Sequence, residues 1–161
     1  MLLRSARIRA APAYPEERLV NCRALGLDVG ERRVGVAISD AEGLLAVPLT
    51  TIHRKDMETA VLEIAELVRK HEVGRIVAGL PILMSGEMGE QAARVEEFVA
   101  HLKEHVSVPI EWWDERLSTV AAEKMMRDTG ANRRSRDANR DPLAAALILQ
   151  AYLDSKRVFE P

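Results

Sequence analysis

One cysteine, Cys22, is all that the 161 residues contain, so no disulfide can form within the chain and a stapled secreted scaffold is excluded. No apolar run approaches the roughly 18 residues that a membrane span needs. An excess of one charge is missing too: 23 basic residues face 25 acidic ones, a formal net charge of -2, so bulk charge announces neither a polybasic binder nor an acidic tail. Internal repeats and low-complexity tracts are absent. The first 22 residues carry arginines but no continuous apolar core of signal-peptide type. What remains is an ordinary globular balance, 47% hydrophobic and 30% charged, at a length suited to one domain with a substantial core. The single thiol fits a reducing cytoplasm, and no membrane partner is expected.

Pro12, Pro15 and mixed charges mark residues 1–22 as a flexible extension. The folded domain is expected over 23–157, with a short tail over 158–161. Apolar stretches over 24–29 and 34–39 flank the tight turn Gly30-Glu31-Arg32-Arg33 and read as a hairpin. Gly43 turns the chain into a third strand, which Pro48 confines to a sheet edge or a bulge. A helix follows with Val61, Ile64, Ala65 and Val68 at helical spacing, and Gly74 is its expected stop. "RIVAGLP" is short and continuously apolar, as a strand covered on both faces is. A second helix presents Val95, Phe98, Val99 and Leu102, and "VPIEWWDE" is the fifth strand. Ser118 can cap a third helix ending at Gly130. After an arginine-rich loop, Asp141 as cap and Pro142 as first residue open a last helix. This order predicts an α/β protein: a mixed five-stranded sheet, antiparallel meander then parallel strands, with helices on both faces.

Asp28 stands inside the first strand, where an ionised carboxylate is costly without a partner. Alternation puts Leu25, Leu27 and Val29 on one face and Gly26, Asp28 and Gly30 on the other, with Gly35 and Ala37 continuing the bare area across the hairpin. Bare backbone beside a carboxylate leaves room for a metal and a phosphate. The plainer alternative is that small residues let a helix pack closely while Asp28 caps a neighbouring turn. Asp114 and Glu115 end the fifth strand, at the sheet end where open α/β folds bind ligands. Neighbouring strand residues face opposite ways, so one of the two faces the site, and alternation does not choose between them. Asp141 is a third candidate, although Asp before Pro is also a good helix start without any chemistry. Three acids from separate elements are the material of a Mg²⁺ or Mn²⁺ site, since hard cations take oxygen ligands, and such ions promote phosphodiester hydrolysis.

Arginines surround these acids. Arg133, Arg134, Arg136 and Arg140 lead directly to Asp141, while Arg32 and Arg33 occupy the first turn and Arg116 follows the acid pair. A basic loop beside an acidic site can hold a polyanion's backbone, although a solvated charged loop is the commoner fate of such runs. Arg116 can clamp a phosphate or pair with a neighbouring acid. His101 and His105 lack a third ligand and read as helix-end surface residues. Met125 and Met126 read as core filling. Of Trp112 and Trp113, one is expected in the core and the other over an edge.

Four motifs, "LGLDVGERRVGVAISD", "GLPILMSGEMGEQA", "WDERLST" and "DPLAAALILQAYLD", stand in order between Ala24 and Asp154. Together they resemble those of the YqgF family, also called RuvX, of pre-16S rRNA nucleases and Holliday-junction-resolvase-like proteins. The resemblance implies an RNase H-like fold and a cytoplasmic, divalent-metal nuclease that matures the 5′ end of 16S rRNA. Position by position it assigns Asp28, the Asp114-Glu115 pair and Asp141 to the acidic site; Asp28, Glu115 and Asp141 are the expected metal ligands, with the choice between Asp114 and Glu115 left open. The extension before Ala24 lies outside the family core. The loop before Asp141 carries arginine where relatives often have lysine, which keeps the charge and changes its geometry.

Three other readings compete. A junction resolvase would use the same acids on four-way DNA. A non-catalytic ribosome-assembly factor would keep the fold and bind RNA. Actin-like and Hsp70-like ATPases also begin with a strand, an Asp and a glycine-containing hairpin, but they join two such domains and this chain is too short for the second.

Overall fold

The computed structural model describes residues 22–117 and 133–158, and among these the side chains of 133–140 and of 158 are not described. Five strands form one sheet: β1 (Arg23–Val29), β2 (Arg33–Ser39), β3 (Ala46–His53), β4 (Val73–Leu80) and β5 (Ile110–Asp114). Their order across the sheet is β3-β2-β1-β4-β5. β1 pairs antiparallel with β2, and β2 with β3, while β4 runs parallel to β1 and β5 parallel to β4. The mixed sheet is the one expected from the sequence. Pro48 lies on the edge strand, where no ladder donor is needed, and the β2–β3 register shifts between Val36 and Ala37, the residue opposite Pro48. Gly43, with φ +69°, turns the chain into β3 in the left-handed region that glycine tolerates best.

Helices α1 (Met57–Lys70) and α2 (Glu90–Lys103) cover one face. Strand alternation sends Leu25, Leu27, Val34, Val36, Ile38 and Ile76 to that face. There they meet Val61 and Ile64 of α1 and Val95, Phe98 and Leu102 of α2. Asp56 caps α1 by accepting from the Thr59 backbone N–H at 2.7 Å. Gly74 is not the stop of this helix. The helix ends at His71, because Glu72 takes a left-handed conformation with φ 52°, and Gly74 already belongs to β4. Its lack of a side chain makes space for Cys22, which a Cβ there would strike.

Helix α3 (Arg133–Val158) covers the opposite face. Ala145, Ala146, Ile148, Leu149 and Tyr152 pack on Ala24, Ala37 and Val77. A Cβ on Gly26 would approach Leu149 Cβ to 2.8 Å and the Ala145 carbonyl oxygen to 2.9 Å, so the helix sits almost on the strand backbone. Polar ties fix its position: the Tyr152 hydroxyl donates to Glu111 and accepts from Arg75 Nη1 at 2.7 Å, and Gln150 Oε1 accepts from the Ala46 N–H at 2.8 Å. Trp113 packs edge-on against Tyr152, with centroids 6.2 Å apart, while Trp112 packs on the other face. Both are half-buried on the edge strand β5, one against each core, so neither is the fully buried one of the pair. The expected cap at Asp141 is also corrected. α3 begins at Arg133, so Asp141 and Pro142 lie inside it and Arg133–Arg140 is helical backbone, not loop. Pro142 removes one intrahelical donor but not the helix, whose following turns are held by the sheet. Ser118, Met125, Met126 and the helix expected to end at Gly130 lie outside the described residues. Among the described residues, no helix is long and apolar enough to cross a membrane.

Candidate active site

β1, β4 and β5 end at the same side of the sheet, and this convergence places the acids. Asp28 is the penultimate residue of β1, directly opposite Gly35 of β2, on the face that α3 covers. Gly26 and Gly35 do not leave open space there. The α3 backbone fills it, and a Cβ on Gly35 would fall inside the shell of the Asp141 carbonyl oxygen. The plainer reading of these glycines, close helix packing, is thus right. That packing also brings Asp141 over the residue that faces Asp28.

Glu115 opens a single 3-10 turn, Glu115–Leu117, immediately after β5. Its carboxylate lies against Gly79 of β4, where a Cβ would come within 2.6 Å of Oε1 and 2.7 Å of Ile148 Cδ1. Burial, then the negative charge of Asp28, then that of Asp114 push the Glu115 carboxyl up to about 7. The contact with Gly79 beside Ile148 puts the Glu115 side chain on the α3 face of the sheet, the face on which Asp28 also lies. Asp114 is turned onto Arg116, whose Nη2 donates to Oδ2 at 2.7 Å while Nε donates to both oxygens at 3.0–3.1 Å. The Arg116 backbone N–H adds a bond to Oδ1 at 3.0 Å. These bonds hold the Asp114 carboxyl below its usual range, the guanidinium's hydrogen bonds first among the causes.

Asp141 Oδ2 lies 3.0 Å from Arg33 Nε, an ion pair whose acid is largely shielded. Two arginines expected to contact nucleic acid are therefore engaged with site acids, Arg116 with Asp114 and Arg33 with Asp141. Arg32 is exposed on the turn. The side chains of Arg133, Arg134, Arg136 and Arg140 lie outside the described residues. Among the described residues, no three acidic, histidine or cysteine side chains already stand close enough together to form a metal cluster. The sequence reading missed Gly79 and the Arg33–Asp141 pair. Gly79 carried a signal, since an isolated glycine inside a strand marks a close approach. The ion pair carried none, because its partners come from opposite ends of the chain.

The model of the RuvX family, described as Holliday junction resolvase, matches residues 22–155. A relative from Chloroflexus aggregans, named provisionally as a pre-16S rRNA nuclease, is 50% identical over 133 residues, covering 83% of this chain and 94% of its own. One from Clostridium novyi with the same provisional name is 45% identical over 133 residues, covering 83% and 98%. Among solved structures, T. thermophilus RuvC in complex with Holliday junction substrate superposes with a TM-score of 0.57 at 15% identity, over 84% of this chain and 96% of that one. The fowlpox virus Holliday junction resolvase gives 0.51 at 12%, over 83% and 99%. At such identities these two show the fold alone, and that fold is RNase H-like.

Proposed function

The chain belongs to the RuvX family, and we propose that it is a divalent-metal endonuclease that processes the 5′ end of pre-16S rRNA in the cytoplasm. The observation that carries this reading is the electrostatic coupling of Asp28 to the half-buried Glu115, with the Asp141 backbone packed over the residue facing Asp28. Two acids that raise each other's cost of ionisation are a poor structural choice and a good cation site. The names of the relatives support the RNA substrate.

The donors suit the metal by their chemistry. Asp28, Glu115 and Asp141 would offer carboxylate oxygens only, which favours Mg²⁺ or Mn²⁺ over softer ions. When bound, such a cation supplies positive charge to a phosphate under attack by water and to the ester oxygen that leaves. The chain's own residues do the rest. Glu115, half-buried against Gly79 with its carboxyl raised to about 7, would be one of the ligands, and holding a cation would require its deprotonated form. Asp141 would be a further ligand, and Arg33, 3.0 Å from its carboxylate, would stand within reach of a substrate phosphate. Asp114 holds Arg116 at the site's rim. Arg32 and the helical run Arg133, Arg134, Arg136 and Arg140 would supply further phosphate contacts. The reaction adds water to phosphorus, breaks one P–O bond and releases an alcohol and a phosphate monoester.

A second reading keeps the acids and changes the substrate to four-way DNA, as the family's description suggests. Purified protein with Mn²⁺ or Mg²⁺ is tested against a labelled pre-rRNA 5′ leader and a synthetic junction at matched salt, with Asp28→Asn as control. Cleavage of the leader, lost in Asp28→Asn, is the expected result. Preferential cutting of the junction supports the second reading. Binding of the leader with no cleavage of either substrate sinks the nuclease and leaves an assembly factor.

A further inference from the structure

Around the end of β1 from the acids, on the opposite face of the sheet, lies a cleft of about 250 Å³ whose walls include Gly30, Glu31, Arg54, Gln91 and Arg94. Asp28 and Val29 are consecutive and point to opposite faces, so the cleft begins one residue from the candidate site. Arg54 is held ready: its Nη1 donates to the Gly30 carbonyl at 2.7 Å and its guanidinium lies 5.0 Å from the centre of the Phe98 ring. Arg94 is nearly uncommitted, since its ion pairs with Glu31 at 3.7 Å and Glu90 at 4.0 Å are both too long for hydrogen bonds. Arg54 and Arg94 put two guanidiniums on walls that carry one acid, Glu31, with Glu90 4.0 Å from Arg94 just outside the lining, and Gln91 adds an amide donor. The cleft has no part in the proposed chemistry; the rest of its lining is the buried pair Val29 and Val95.

We propose that this cleft is a second phosphate-binding subsite, which takes a phosphate of the same strand whose scissile phosphate lies at the acids. The proposal rests on the nuclease reading for its substrate, but the binding it describes needs no metal. Arg94 turns from Glu31 onto the phosphate, Arg54 stays in place, and the strand is gripped on both sides of the β1 end. A strand held at two points cannot slide along the acids, so the subsite would set the distance between the gripped phosphate and the cut. The ligand chemistry, a phosphate mono- or diester, can come from an internal backbone position or from a 5′ terminus.

The test is binding of fluorescent single-stranded RNA oligonucleotides to the full-length protein in EDTA, across a salt series. Arg94→Ala should weaken binding roughly tenfold, the usual worth of a charge-assisted hydrogen bond. It should also lower the slope of log affinity on log salt by about 0.7, one counterion released on single strands. Glu31→Gln should tighten binding, because the competing carboxylate is gone. Both residues are exposed, and melts of both variants check that the fold is intact. Equal losses on 5′-hydroxyl and 5′-phosphate oligonucleotides place an internal phosphate in the cleft, and a loss confined to the phosphorylated one places the terminus there. Unchanged affinity and slope in Arg94→Ala, with unchanged affinity in Glu31→Gln, overturn the subsite. A failure of the nuclease reading would show separately, as absent cleavage on adding metal while these binding effects persist.

Discussion

Asp141 rests on Gly35: the carbonyl oxygen of the helix residue occupies the space where a side chain of the strand residue would stand. Both partners of this contact are backbone, so neither can rotate away. Gly35→Ala should therefore lift the start of the docked helix, at a cost on the order of 1–3 kcal/mol or more. A lowered melting temperature, with cleavage reduced further than the stability loss explains, is the expected pair of results. An alanine variant with the wild-type melt would mean that α3 does not sit on β2.

Glu115 makes the metal-free protein sensitive to pH. Its carboxyl is raised from 4.5 to about 7 in the fold, so between these values the folded chain keeps a proton that the unfolded chain releases. Stability should accordingly be greatest below about 4.5 on this account and fall as pH rises to about 7. With allowance for solvent around this partly exposed group, the effect is on the order of 1–2 kcal/mol. Urea denaturation in EDTA at several pH values measures it, and Glu115→Gln should flatten the curve. A wild-type curve that rises over this window contradicts the coupling.

Asp28→Asn removes one charge and keeps the shape. The metal-free variant should melt at the wild-type temperature or above it, since repulsion with Glu115 is relieved. Added Mg²⁺ or Mn²⁺ should raise the wild-type melt by mass action and the variant's much less. Cleavage should be lost. A variant that melts lower and still cuts would return Asp28 to a purely structural role.

Arg33→Gln should move two affinities in opposite directions. Removing the cation that pairs with Asp141 frees that carboxylate, so Mn²⁺ binding measured by calorimetry should tighten. RNA binding should weaken, because the same guanidinium is the one expected to reach the substrate. Two losses together would show that Arg33 serves only to hold Asp141 in place.

Much of this fold was legible because period-2 alternation in β1 and β2 and the apolar run of β4 are local signals that tertiary packing did not override. Asp28 stood out for a local reason as well, a charge in an apolar strand. The errors have equally physical causes. Asp141-Pro142 carries the local chemistry of a helix start, yet a helix that is docked along its length can continue through a proline. The stop of α1 was placed at Gly74 because glycine is the usual left-handed residue, whereas Glu72 takes that conformation here. Between Asp114 and Glu115 alternation could not choose, since the strand ends between them and a 3-10 turn re-aims the second. The Arg33–Asp141 and Asp28–Glu115 relationships join distant segments and exist only once the sheet has formed.

Among the described residues, the cover of one sheet face, and with it Asp141, comes from α3, the last element of the described chain. A chain still being synthesised, extended only through β5, already holds Asp28, Asp114 and Glu115 but exposes Ala24, Ala37 and Val77 to water. It lacks the third acid and the helix that closes the site. Translation order then acts as a safety catch: a protein proposed to cut ribosomal RNA gains its cutting edge only after its final helix has left the ribosome that makes it.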